Sequence, residues 1–149
     1  MAFYDDYEGI GVARTTDDNW ATEIVPTGRV EDTVAKTPWA KVKPRPPGSS
    51  SNPTTILRDT KITSRKFVIT GTVILAGGVT AATKRTNLLA LYGYSNNNAT
   101  LTTLAVQDTD GNWTTYDGLI TRLTFSRNSG ELFYELIMEF IVGTLNASA

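Results

Sequence analysis

The apolar positions of this chain recur mostly every second residue. In "RKFVITGTVILAGG" (65–78), Phe67, Ile69, Val73 and Leu75 share one face, with Gly71 between them. The other face carries Lys66, Val68, Thr70, Thr72 and Ile74, half polar and half apolar. Alternation of this kind predicts a β-strand. The full signal runs over 56–75, is rich in Ile, Val and Thr, and is expected to bend at Gly71. The same texture returns in "LFYELIMEFIV" (132–142). Leu132, Tyr134, Leu136, Met138, Phe140 and Val142 form an apolar face, while Phe133, Glu135, Ile137, Glu139 and Ile141 form a mixed one. As its hairpin partner, residues 119–126 are expected to turn Leu119, Thr121, Leu123 and Phe125 to the core. Ile120, Arg122, Thr124 and Ser126 then fall on the mixed face. Two long strands with half-apolar second faces point to a partner covering those faces.

Elsewhere the signals are shorter. "EGIGVA" and "NWATEIV" read as short strands around the turn-like "TTDDN". "TLTTLAVQ" alternates, "DTDGN" is a hairpin turn centred on Asp110-Gly111, and "WTTYDG" and "LITRLTFS" follow. One helix is expected over 80–92. Thr80 is its N-cap, Leu88, Leu91 and Tyr92 form a stripe with Ala81 two turns earlier, and Gly93 is its C-cap glycine. Residues 37–55 hold five of the six prolines, which remove ladder donors and mark an excursion from the core. The predicted organisation is one domain over 1–149. It comprises an N-terminal arm with short strands (1–35), a long basic Pro-rich loop (36–58), and a β-sandwich with its helix (59–144).

Composition narrows the chemistry. The 149 residues include no histidine and no cysteine, so the commonest general base, the commonest metal ligand and any disulfide framework are excluded. No run of about 18 apolar residues marks a membrane helix. The acidic start lacks the features of a signal peptide. Charge is segregated along the chain. Residues 1–32 hold eight acids against two arginines, and residues 33–66 hold eight bases against Asp59. Two solvated segments are the plain reading. The sharper one is head-to-tail complementarity between copies. The basic run has only Trp39 as an aromatic, which argues against stacking on nucleic-acid bases.

No catalytic constellation emerges. "DTDGNW" (108–113) gathers two carboxylates and an Asn around a glycine, but the downstream Glu of a calcium loop is missing. Glu135 and Glu139 are roughly 13 Å apart by strand rise, too far for a retaining carboxylate pair. "ILAGG" lacks the Walker lysine spacing. Tyr92, Tyr94, Trp113 and Tyr116 are candidates for a sugar-stacking surface. No cofactor, no metal and no enzymatic activity are expected.

The order of elements resembles a known family. A loop-rich N-terminal part precedes a long strand ("DTKITSRKFVITGTVIL"), a short helix ("TKRTNLLALYG") and the strands "TLTTLAV", "YDGLITRLTFS" and "LFYELIMEFIVGT". This resembles the tail-tube proteins of tailed viruses and their relatives, the distal tail and tube-like baseplate proteins. The resemblance covers roughly residues 55–144. Tyr116, Gly118 and Ile120, and the closing "EFIVG" (139–143), are its most telling pieces. It implies a mainly β fold, a small β-sandwich or partial barrel with one flanking α-helix. Six copies would form a ring whose sheets join into a continuous β-barrel, and rings would stack into a tube conducting DNA to the host. The partners implied are further copies of the chain, other tail or baseplate proteins, and viral DNA passing without sequence-specific binding, with no membrane. The location implied is the virion tail, after synthesis in the host cytoplasm. On this reading Glu135, Glu139, Thr124 and Ser126 are expected to face the lumen. Lys36, Lys41, Lys43 and Arg45 would meet Asp5, Asp6, Asp17 and Asp18 of a neighbouring copy, with 36–58 as the stacking loop. Two alternatives stand beside it: a tail-tip adaptor ring of the same fold, and a carbohydrate-binding β-sandwich using Trp113 and Tyr116 as a platform.

Overall fold

In a computed structural model the described residues are 3–5, 7, 9–16, 21–36, 38–45, 47–48, 53–61, 63–76, 78–93 and 100–143. They form β1 (Ile10–Arg14), β2 (Thr22–Lys36), β3 (Trp39–Lys43), β4 (Thr54–Arg58), β5 (Thr63–Val73), α1 (Ala81–Tyr92), β6 (Thr102–Gln107), β7 (Trp113–Ser126) and β8 (Tyr134–Val142). Six strands close into an antiparallel barrel in the order β1-β2-β5-β8-β7-β6, with β1 paired to β6. Closure leaves the barrel without an edge strand. The expected mainly β fold with one helix is therefore present, as a complete barrel within one chain.

Alternation fills the interior. Phe67, Ile69 and Val73 from β5 meet Leu136, Met138 and Phe140 from β8. Ile10, Val12, Ile24, Leu104 and Ile120 complete the wall. Each such side chain contributes roughly 1.5–3 kcal/mol on burial. Gly71 falls on the same inward side by alternation, and a Cβ there would stand 2.6 Å from the Val25 carbonyl oxygen.

The strand β7 corrects one expectation. Ile120 pairs with Phe140, yet Arg122 pairs with Glu139, so Thr121 is an extra residue in a β-bulge. The bulge switches faces. Before it, Gly118 and Ile120 point to the core, and Leu119 lies opposite Ile141 on the outside. After it, Leu123 and Phe125 point inward, and Arg122, Thr124 and Ser126 outward. Thr121 is exposed and bonds the Glu139 carbonyl. Uninterrupted alternation had placed Leu119 and Thr121 inside and Ile120 outside.

The helix α1 spans the barrel end formed by the last residues of β5 and β7 and the first of β2 and β8. Thr80 accepts the Thr83 N–H at 3.2 Å as N-cap, and Gly93 ends the helix in the left-handed region at φ 87°. Its buried stripe is Ala81, Lys84, Leu88 and Leu91, and Tyr92 is exposed, against the expectation that Tyr92 belongs to it. Burial depresses the Lys84 ammonium pKa, and attraction to Glu23 offsets part of that.

At the opposite barrel end, β2 continues well past its expected limit. Pro26 pairs with Gly71 and Val30 with Ile69, so the strand bulges over 27–29 and resumes pairing with β5 as far as Lys36–Thr63. The sequence between these strands is an antiparallel ribbon, β3 with β4, rather than a plain loop. The expected single strand over 56–75 is divided, because residues 59–61 leave the strand and Lys61 takes a φ of 60°.

Candidate assembly surfaces

Three surfaces have the properties of contact sites. The first is the outer face of β5, β8 and β7. Register places Lys66, Ile141 and Leu119 in one row, then Val68, Glu139 and Arg122, then Thr70, Ile137 and Thr124, then Thr72, Glu135 and Ser126. Ile137 and Ile141 are exposed there. Glu139 bridges Lys66 at 2.6 Å and Arg122 at 3.3 Å. These partners, Lys66 foremost, hold its carboxyl below the usual range. Glu135 is exposed and makes no ion pair among the described residues. The four residues expected in a lumen, Glu135, Glu139, Thr124 and Ser126, thus share one outward face.

The second surface is the ribbon. Directly paired residues project to the same side. Trp39 and Arg58, Lys41 and Ile56, and Lys43 and Thr54 therefore form one face, and Ala40 and Leu57, and Val42 and Thr55, form the other. All the cations of the two strands sit on the first face, where the Arg58 guanidinium lies 5.1 Å from the Trp39 ring. The second face is uncharged and open, with Val42 62% and Leu57 66% exposed.

The ribbon's root is clamped to the barrel. Arg65 donates two bonds to Asp32, at 3.0 and 2.7 Å, and one to the Tyr116 hydroxyl at 3.1 Å. Its guanidinium lies 4.5 Å from the Tyr116 ring, which packs on Phe67 at 4.8 Å. Arg65 holds the Asp32 carboxyl below its usual range. Lys36 bonds Asp59 at 2.9 Å, which lowers that carboxyl as well. Sequence reasoning missed this clamp, since Asp32, Arg65 and Tyr116 are brought together only by the barrel.

The third surface is a notch at the helix end of the barrel, about 290 Å³, between Leu75, the first turn of α1, Arg127, Leu132 and Tyr134. Leu75 is 64% and Leu132 87% exposed, although both were expected on core faces, because β5 stops at Val73 and β8 starts at Tyr134.

The structure separates the other expected groups. Lys36, Lys41, Lys43 and Arg45 are exposed on the β2 end and the ribbon. Asp5 is exposed in an N-terminal turn that packs on its own barrel. There Tyr4 meets Trp113 at 4.9 Å, and Tyr7 and Phe3 cover Gly11. Asp6, Asp17, Asp18 and Tyr94 lie outside the described residues. Trp113 packs on Tyr4 and Tyr116 on Phe67, on opposite faces of β7, so the two rings do not form one sugar platform. The Asp108 carboxylate accepts the N–H groups of Asp110 and Asn112 at 2.8 and 3.0 Å, closing the β6–β7 turn. Among the described residues no group of three or more acids is placed to hold a metal ion.

No family model matches the sequence, and no curated protein matches it. Solved structures do match. A chain of the virion of a native gene transfer agent particle superposes with a TM-score of 0.54 at 13% identity, covering 92% of this chain and 96% of that one. A chain of the tail of an empty gene transfer agent particle, determined with helical refinement and C6 symmetry, gives 0.50 at 14% identity, covering 92% and 95%. The protein therefore shares, over nearly its whole length, the fold of chains that make up a gene transfer agent particle and its tail.

Proposed function

We propose that this protein is a structural subunit of a phage-like virion tail, built into homohexameric rings that stack into a tube for DNA. The observation that carries this reading is the near-complete match to a chain of a tail solved with C6 symmetry. The physics of the surface supports it. A barrel with no edge strand is a finished unit, and yet its ribbon exposes the apolar side chains of Val42 and Leu57. The protein acts through shape and contact, with no catalytic role.

The lumen is assigned to the outer face that carries Glu135, Glu139, Thr124 and Ser126. Glu139 is neutralised by Lys66 and Arg122, so Glu135 supplies the free negative charge of that face. The exposed carboxylate and hydroxyl groups of this face offer DNA phosphates no cation to adhere to. Lys36, Lys41, Lys43 and Arg45 serve contacts between copies, and Asp5, Asp6, Asp17 and Asp18 provide acidic partners. Other tail or baseplate proteins cap the tube, in virions assembled in the host cytoplasm.

Sedimentation velocity across concentration and salt tests the reading. Ring-sized and longer species are expected. A monomer under every condition would contradict it, and rings that never lengthen would favour a tail-tip adaptor.

A further inference from the structure

The paired rows on the outer face of β5, β8 and β7 hold two cations, Lys66 and Arg122, and both reach the same carboxylate. Lys66 Nζ lies 2.6 Å from Oε1 of Glu139, and Arg122 Nη1 lies 3.3 Å from Oε2. Each carboxylate oxygen thus takes one cation, and each member of the triad comes from a different strand. The place of Arg122 depends on the bulge in β7. Regular pairing past Ile120–Phe140 would set Thr121 opposite Glu139 and turn Arg122 inward, opposite Met138. The extra residue brings Arg122 out and opposite Glu139. The Thr121 hydroxyl closes the bulge by donating to the Glu139 carbonyl oxygen at 3.3 Å. The Glu139 side chain is 18% exposed, and both cations are more open. An ion pair set partly out of water holds more firmly than one in bulk solvent. Without that carboxylate, an exposed lysine and an exposed arginine side by side are the ordinary means of gripping a nucleic-acid backbone.

We propose that Glu139 is a mask: it occupies Lys66 and Arg122 and so keeps this face from gripping DNA phosphates. The bulge at Thr121 is the device that brings the second cation under the mask. Glu135 has a different part. It is exposed and makes no ion pair among the described residues, so it adds only its own charge to the face. The inference rests on the assignment of this face to a lumen that DNA traverses, and it names the residue on which easy passage depends.

Two isosteric variants separate masking from net charge. Glu139→Gln frees both cations, whereas Glu135→Gln makes the same change in net charge and frees none. Binding of a short fluorescent DNA duplex to the dilute full-length chain is followed by anisotropy across salt. The ribbon cations give every variant the same background. Glu139→Gln is expected to bind more tightly than the parent at low salt. Its slope of log K against log salt should steepen by up to about 1.8, roughly 0.9 for each phosphate that a freed cation contacts. Glu135→Gln should stay close to the parent. Adding Lys66→Gln and Arg122→Gln to Glu139→Gln should return binding to the parent's level or below. Equal gains in the two single variants, no gain in Glu139→Gln, or a gain that survives removal of both cations would overturn the mask. The dilute subunit suffices for this comparison, so the mask can fail while the tail reading stands, and sedimentation of the concentrated chain decides the tail reading separately.

Discussion

Replacing Gly118 by Ala tests a tight strand contact in the barrel. Gly118 is pinned on both sides, by Thr102 of β6 and Val142 of β8. A Cβ at this position would fall on the Ile141 carbonyl oxygen, 2.8 Å from the carbonyl carbon and 3.0 Å from Cε1 of the buried Phe140 ring. Comfortable separations are about 3.5–4.0 Å. Both neighbours are backbone or packed core, so β7 itself must move from β8. Overpacking of this kind costs about 1–3 kcal/mol. At roughly 2–4 °C per kcal/mol for a chain of this size, Tm should fall by about 2–12 °C. Gly143→Ala is the control, because nothing lies within 4 Å of a Cβ there, and its effect should stay within about 0.5 kcal/mol. Urea unfolding followed by circular dichroism and by tryptophan fluorescence reads both variants. A Gly118→Ala protein as stable as its Gly143→Ala counterpart would refute the packing argument.

A double-mutant cycle of Arg65→Met and Asp32→Asn should return a coupling of about 0.5–1 kcal/mol that shrinks with added salt, since both side chains are over a third exposed; additive mutants would remove the clamp. Acid titration should show a further loss of stability. Asp32 and Glu139 have folded-state pKa values below their unfolded ones, so their contribution is present above the unfolded values and disappears as pH falls through the folded ones. An Asp32→Asn, Glu139→Gln variant should therefore lose less stability than the parent between pH 5 and the acid limit, as followed by thermal melts. Thr80→Ala should cost about 1 kcal/mol in urea unfolding by removing the helix N-cap, and no change would contradict the capping geometry.

Much of this fold was legible because its strands follow a strict period. Phe67, Ile69 and Val73, and Leu136, Met138 and Phe140, announce β5 and β8 as core walls. Thr80 and Gly93 bracket the helix, and Asp110-Gly111 marks the β6–β7 turn. The misreadings have local causes. A bulge at Thr121 adds one residue and leaves no mark in the apolar pattern, so the inner and outer sides of residues 119–121 were exchanged. Pro26 stands next to a bulge, which is where a strand tolerates proline. The strand β2 therefore passes through a position that read as its end. The prolines in 37–55 hid the ribbon, since they flank its ten paired residues without entering them. The Arg65–Asp32–Tyr116 clamp depends on closure of the barrel, and no local pattern encodes closure. The notch is invisible for the same reason: Leu75 and Leu132 read as core until the strand ends are known.

Electron microscopy of the purified, concentrated protein in negative stain tests the central claim most directly. Hollow tubes with regular cross-striations and six-fold end-on views are the predicted result. Fields of separate barrel-sized particles, unchanged by concentration or salt, would contradict it.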